Sequence, residues 1–165
     1  MAVATGKVQV LVSRTIHASA SQVYAYIADY REHHPNFLPG AFSNLTIERG
    51  GVGGGTVVSF DLRLAGRTSR IRTIVDEPDP GRVLKEISLD SDSVTTFEVI
   101  PNDAGSLVTI HTEWTPEAGA QGWIERRLAV PMLRQLYRDE LTRLDRYARR
   151  HHLVPHEPEM SGVSG

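Results

Sequence analysis

The chain has 165 residues, 40% of them hydrophobic and 23% charged, and its 18 basic and 20 acidic side chains leave a formal charge of -2. One domain of that size builds a core without metal or disulfide help, and its charge excludes a strongly basic nucleic-acid binder. Cysteine is absent, which excludes disulfide scaffolds, Cys-ligated zinc and thiol nucleophiles. No apolar run reaches the ~20 residues of a membrane span, and the first seven residues are too few and too polar for a signal peptide.

Residues 7–17 alternate, with Val8, Val10 and Val12 set against Lys7, Gln9 and Ser13, and predict a strand. Ala18, Ser19, Ala20 and Ser21 supply N-cap chemistry for a short helix whose apolar face carries Val23, Ile27 and Tyr30. Tyr26 and His34 lie near that face. Pro35, Pro39 and Gly40 end it and force a corner around Phe37 and Leu38.

From residue 41 to 117 the pattern is β throughout. Leu45 and Ile47 place a strand that ends at Arg49, followed by a flexible turn over the glycine-rich run at 50–55. Strands are expected at 56–64, 67–75, 82–89, 93–100 and 107–115, with a turn at 76–81 where Asp, Glu, two prolines and Gly cluster. Short connections make neighbours antiparallel. Residues 119–151 then form one long helix. Its apolar stripe is Trp123, Val130, Leu133, Tyr137, Leu141, Leu144 and Ala148, and Pro131 should kink or break it.

The fold class is therefore α+β: a curved seven-stranded antiparallel sheet wrapped around a long C-terminal helix, with short helical structure after the first strand. The expected organisation is a tail at 1–6, one domain at 7–152 and a flexible tail at 153–165. A curled sheet and one helix fill each other poorly, and a cavity between them is expected.

Several patterns that invite a chemical reading have plainer ones. The glycine run lacks the Lys-Ser/Thr of a phosphate-binding loop and leads into a strand, so it reads as a hairpin turn. His152 and His156 are separated by Pro155, His33 and His34 point apart, and no third ligand stands at a metal-site spacing. His111 and Glu113 oppose the apolar positions Val108, Ile110, Thr112 and Trp114 and should face water. Arg70 and Arg72 oppose Ile71, Thr73 and Val75 in the same way. No nucleophile elbow is present. Neither a cofactor nor a metal is indicated, and no catalytic residue is assigned.

The inward face should carry Phe60, Leu62, Ile71, Thr73, Ile87, Phe97, Thr112 and Trp114 from the sheet and Leu133 and Tyr137 from the helix. An apolar lining with a few hydroxyls suits an aromatic or alicyclic ligand held by shape. Tyr137 is the best polar candidate, because a buried phenol needs a partner such as Thr73, Thr112, a water or the ligand. Arg134 flanks the stripe and could meet a carboxylate or enolate. Phe37 and Leu38 should sit at one mouth of the cavity and gate it.

Three stretches carry a family resemblance. Residues 18–29, small and polar and then apolar up to Asp29, are similar to the strand-to-helix junction of the START/Bet v1-like (SRPBCC) superfamily. The Pro35-to-Gly40 corner resembles that of its polyketide cyclase/dehydrase and coenzyme Q-binding branch, and residues 76–84 are similar to its proline turn. The resemblance covers residues 8–150. It implies the helix-grip fold and a hydrophobic small-molecule partner, a lipid, polyketide or quinone-like compound. Some members cyclise or dehydrate such ligands, and others carry or sense them. With no carboxylate or histidine placed inward, binding leads and catalysis is the alternative. No nucleic acid and no membrane insertion are expected, the location is expected to be cytoplasmic, and a homodimer is left open.

Overall fold

The computed structural model describes residues 6–152. Residues 1–5 and 153–165, with them most of the two expected tails and His156, lie outside the described residues. Seven strands run β1 (Val8–Ile16), β2 (Phe42–Arg49), β3 (Val57–Leu64), β4 (Arg67–Asp79), β5 (Val83–Ser88), β6 (Val94–Asn102) and β7 (Gly105–Trp114). They form one antiparallel sheet in the order β1-β7-β6-β5-β4-β3-β2. β1 has no hairpin partner in sequence, so it closes onto β7, with Val10 opposite Thr112 and Val12 opposite Ile110.

Helix α1 (Ala20–Ala28) starts where Ser19 Oγ accepts the Gln22 N–H. Its end is set by Asp29, whose carboxylate accepts the N–H groups of Arg31 and Glu32 at 2.9 Å each. The Asp29 carbonyl accepts the His34 N–H at 2.7 Å. These bonds tighten the chain into the single turn His34–Asn36, and they deliver the His34 side chain to the interior.

Two departures from the sequence reading concern turns. β4 does not stop at Val75. It runs to Asp79 across a bulge between Asp76 and Asp79, which tolerates the missing N–H of Pro78. The bulged stretch places Glu77 to accept from the Tyr24 hydroxyl at 2.7 Å and the Gly54 N–H at 2.7 Å. A carboxylate thus occupies the glycine run where a phosphate would have to lie, in keeping with a structural turn. β2 begins at Phe42, earlier than Leu45, because a bulge with Asn44 at φ 51 resets its register.

The long helix is interrupted. α2 (Ala120–Ile124) passes into a wider turn, Glu125–Ala129, in which the Val130 N–H reaches back to the Glu125 carbonyl, and α3 (Val130–His152) follows. One extra residue per turn just before Pro131 lets the chain pass the missing donor without breaking. The shift rotates the preceding residues off the stripe. Trp123 is 61% exposed, whereas Leu133, Tyr137, Leu141, Leu144 and Ala148 are buried. α3 lies across the concave face and is pinned to the end of β1 by Asp145, which accepts from His17 N at 2.8 Å and pairs with Arg149. No helix among the described residues is long and apolar enough to cross a membrane.

Candidate functional site

Between the concave face and α3 lies a cavity of about 770 Å³. Its walls are Val58, Phe60, Leu62 and Leu64 of β3, Ile71 and Thr73 of β4, Thr95 and Phe97 of β6, and Thr112 and Trp114 of β7. Leu38, Phe42 and Leu45 border it at the β2 edge, and Leu128, Leu133, Tyr137 and Glu140 cover it from the helical side. Exposure falls from 53% at Leu128 to 7% at Leu133, 6% at Tyr137 and 3% at Glu140. The helix therefore runs from the mouth inward, and Glu140 marks the deep end.

Four polar side chains meet at that end: Tyr30, His34, Glu86 and Glu140. The Tyr30 hydroxyl donates to Glu86 Oε1 at 2.6 Å. His34 is 2% exposed and stacks on Tyr30, with ring centroids 4.6 Å apart. Its Nδ1 lies 2.6 Å from the Ile27 carbonyl, which can only accept, so Nδ1 carries the proton and Nε2 keeps its lone pair. Burial pulls the His34 pKa down, against the opposing charge of Glu86, so the ring is neutral near pH 7. Glu140 behaves oppositely. Burial, followed by the charges of Glu86 and Asp139, pushes its carboxyl up to about 8. A neutral base and a protonated acid thus share one cavity.

A second polar element is a chain of hydroxyls. Tyr137 Oη lies 2.5 Å from Thr112 Oγ1, which lies 2.7 Å from Thr95 Oγ1. Three hydroxyls joined by two bonds leave one O–H unspent, at Tyr137, Thr112 or Thr95 according to which atoms donate. Thr95 stands opposite Glu86 in the β5–β6 register, which links this chain to the deep end. Thr73 Oγ1 is buried with no hydrogen-bond partner.

Of the thirteen residues expected at the site, ten line the cavity: Leu38, Phe60, Leu62, Ile71, Thr73, Phe97, Thr112, Trp114, Leu133 and Tyr137. Three do not. Phe37 is fully buried beside His34, with ring centroids 4.8 Å apart, and is core packing behind the cavity rather than part of a mouth. Ile87 sits on the opposite face of β5, paired with Ile74, because Leu84, Glu86 and Ser88 hold the inward phase. Arg134 is half-buried beside the stripe but off the cavity wall.

His34, Glu86 and Glu140 overturn the expectation that no histidine or carboxylate faces inward. Each had a signal. Fully buried Leu84 sets the phase that carries Glu86 inward, and Glu140 lies three residues beyond Tyr137 on the same helical face. His111 and Arg72 sit off the cavity wall. Arg70 borders it, with its guanidinium turned to Asp61 and Ser59.

Residues 7–149 match the sequence profile of a family described as polyketide cyclase / dehydrase and lipid transport. No curated protein matches the chain in sequence. Among solved structures, the KanY protein is 28% identical with a TM-score of 0.78, covering 87% of this chain and 99% of its own. The Zhui aromatase/cyclase from a Streptomyces species is 16% identical with a TM-score of 0.71, covering 89% of this chain and 96% of its own. Ara h 8.0201 is 16% identical with a TM-score of 0.61, covering 88% of this chain and 99% of its own. These last two likenesses speak to the fold, which is the helix-grip arrangement of the START/Bet v1-like superfamily.

Proposed function

We propose that this chain, which belongs to the polyketide cyclase / dehydrase and lipid transport family, binds one small hydrophobic molecule between the sheet and α3. A lipid, polyketide or quinone-like compound fits the walls. One observation carries the reading: a space of about 770 Å³ has mostly apolar walls, and one residue of its lining, Thr73, has a buried hydroxyl without a partner among the described residues. A filled core would have neither. Space of that size matches the ~300–1,000 Å³ of small-molecule pockets. The apolar walls supply affinity, and the few polar groups set which end of the ligand goes in first.

The unspent hydroxyl proton of the Tyr137–Thr112–Thr95 chain is the donor that would meet a ligand carbonyl. Menadione, a neutral quinone, is a suitable probe. Calorimetric titration of menadione into wild type and Tyr137→Phe is expected to show binding weakened by about 0.5–1.5 kcal/mol in the variant. Equal affinity would remove Tyr137 as a ligand contact and assign it to packing.

A second reading is acid–base catalysis on such a ligand, a cyclisation or dehydration. It is favoured by the opposite proton states of His34 and Glu140 in one cavity, since pairs of titratable groups pushed apart by their surroundings mark acid and base roles.

A further inference from the structure

Once Glu140 is ionised, above about pH 8, the deep end of the cavity holds more hydrogen-bond acceptors than donors. The Tyr30 O–H is spent on Glu86, and the His34 Nδ1–H is spent on the Ile27 carbonyl. Left over as acceptors are His34 Nε2, the second oxygen of Glu86 and both oxygens of ionised Glu140, with no donor among the described residues assigned to them. Thr73 lines the same cavity, its buried hydroxyl has no hydrogen-bond partner among the described residues and can donate or accept, and Val75, two residues along the same face of β4, stands opposite Glu86. Among the described residues, no Lys or Arg lines this end. The two Arg residues bordering the cavity, Arg67 and Arg70, come from the β3–β4 end of the sheet, and Arg70 is already bound to Asp61.

We propose that the deep end takes a protonated primary amine carried on an apolar, aromatic or alicyclic body, with Glu86 and Glu140 as its counter-charges. This rests on the cavity-binding reading and names the ligand's polar group. An ammonium brings three donors and a positive charge to paired carboxylates that have no cation beside them, and charge-assisted bonds are the strong ones. A neutral alcohol brings one donor and no charge. A carboxylic acid would add a third carboxyl and is disfavoured.

The pH dependence separates an amine from a neutral acceptor. The groups facing Glu140 are Glu86 from β5, Tyr30 from α1's end, His34 from the following turn, and Tyr137 and Asp139 on its own helix. Burial raises the pKa of Tyr30 and of Tyr137 and lowers that of His34. None of these three titrates between about pH 6.5 and 8.5, whereas Glu140 does. An ammonium binds best to ionised Glu140 and expels its proton. A ketone binds best to the protonated form.

Naphthylethylamine and naphthylethanol form a matched pair of probes, with the hydrocarbon diphenylhexatriene as a control for the cavity. The amine is expected to bind at least about tenfold tighter than the alcohol near pH 8.5. Its affinity should rise about 10–30-fold from pH 6.5 to 8.5, with release of close to one proton at pH 6.5 and much less at pH 8.5, and the alcohol's should not rise. In Glu140→Gln the amine's rise and its preference should vanish while diphenylhexatriene still binds. An alcohol that binds as tightly as the amine, or an amine whose affinity is flat with pH or unchanged in Glu140→Gln, would overturn the proposal and leave the cavity reading intact. Failure of all three probes to bind would instead remove the cavity reading, and this proposal with it.

Discussion

Replacing Glu140 by Gln is expected to remove a large pH dependence of folding stability. The Glu140 carboxyl is raised from the usual 4.5 to about 8, first by burial and then by the charges of Glu86 and Asp139. An acid with a higher pKa folded than unfolded holds more protons in the folded state between those two values. Stability therefore erodes as pH rises through that window. Between about pH 5 and about pH 8 the loss from this one group is on the order of 3 kcal/mol. His34 works against it below its unfolded pKa, because a buried neutral histidine loses stability as pH falls. That contribution is common to both proteins and cancels in the difference. Urea unfolding at several pH values should show wild type weakening relative to Glu140→Gln as pH rises, with the gap levelling off above about pH 8. Parallel profiles would mean that Glu140 is solvated in the folded protein and that the deep end is not dry.

The largest expected effect is on turnover, under the catalytic reading. A hydroxytetralone with its hydroxyl β to the ketone is a suitable probe. His34 Nε2 takes the α-proton, the carbon–oxygen bond breaks as Glu140 protonates the departing hydroxyl, and water leaves. The new double bond lets the ring tautomerise to a fluorescent naphthol, and the proton gained by His34 and lost by Glu140 returns through solvent. His34→Ala and Glu140→Gln should each slow this reaction by about 10²–10⁴-fold. The rate should fall below the depressed pKa of His34 and again above about 8, where Glu140 ionises. A rate equal to that in buffer, or one indifferent to both substitutions, removes catalysis by this pair and leaves binding.

The fold was legible because it rests on periods that local sequence enforces. Alternation in β1, β3 and β7 and the stripe from Leu133 to Ala148 place the same side chains inward in the structure. The site was legible only where apolar character and phase agree. At Ile87 they disagree: hydrophobicity argues inward, yet the alternation fixed by buried Leu84 turns Ile87 out and Glu86 in. Glu140 was obscured in the same way, a charged residue at an apolar phase of the helix. His34 could not be read from periodicity. Its position depends on the Asp29 hydrogen bonds that curl the chain after α1, local turn bonds that leave no mark on the hydrophobic period. Phe37 shows the converse, since prolines on either side mark a corner without saying whether its apolar side chain guards a mouth or plugs the core.

Diphenylhexatriene titrated into the purified protein tests the cavity most directly, because this hydrocarbon fluoresces strongly only out of water and makes no hydrogen bonds. A saturable rise at one molecule per chain is expected. Ala129 lies on the cavity wall near its mouth, so Ala129→Trp should weaken that binding about tenfold or more by filling space, with the far-ultraviolet circular dichroism unchanged. A rise that never saturates, or one identical in Ala129→Trp, would contradict an internal binding cavity.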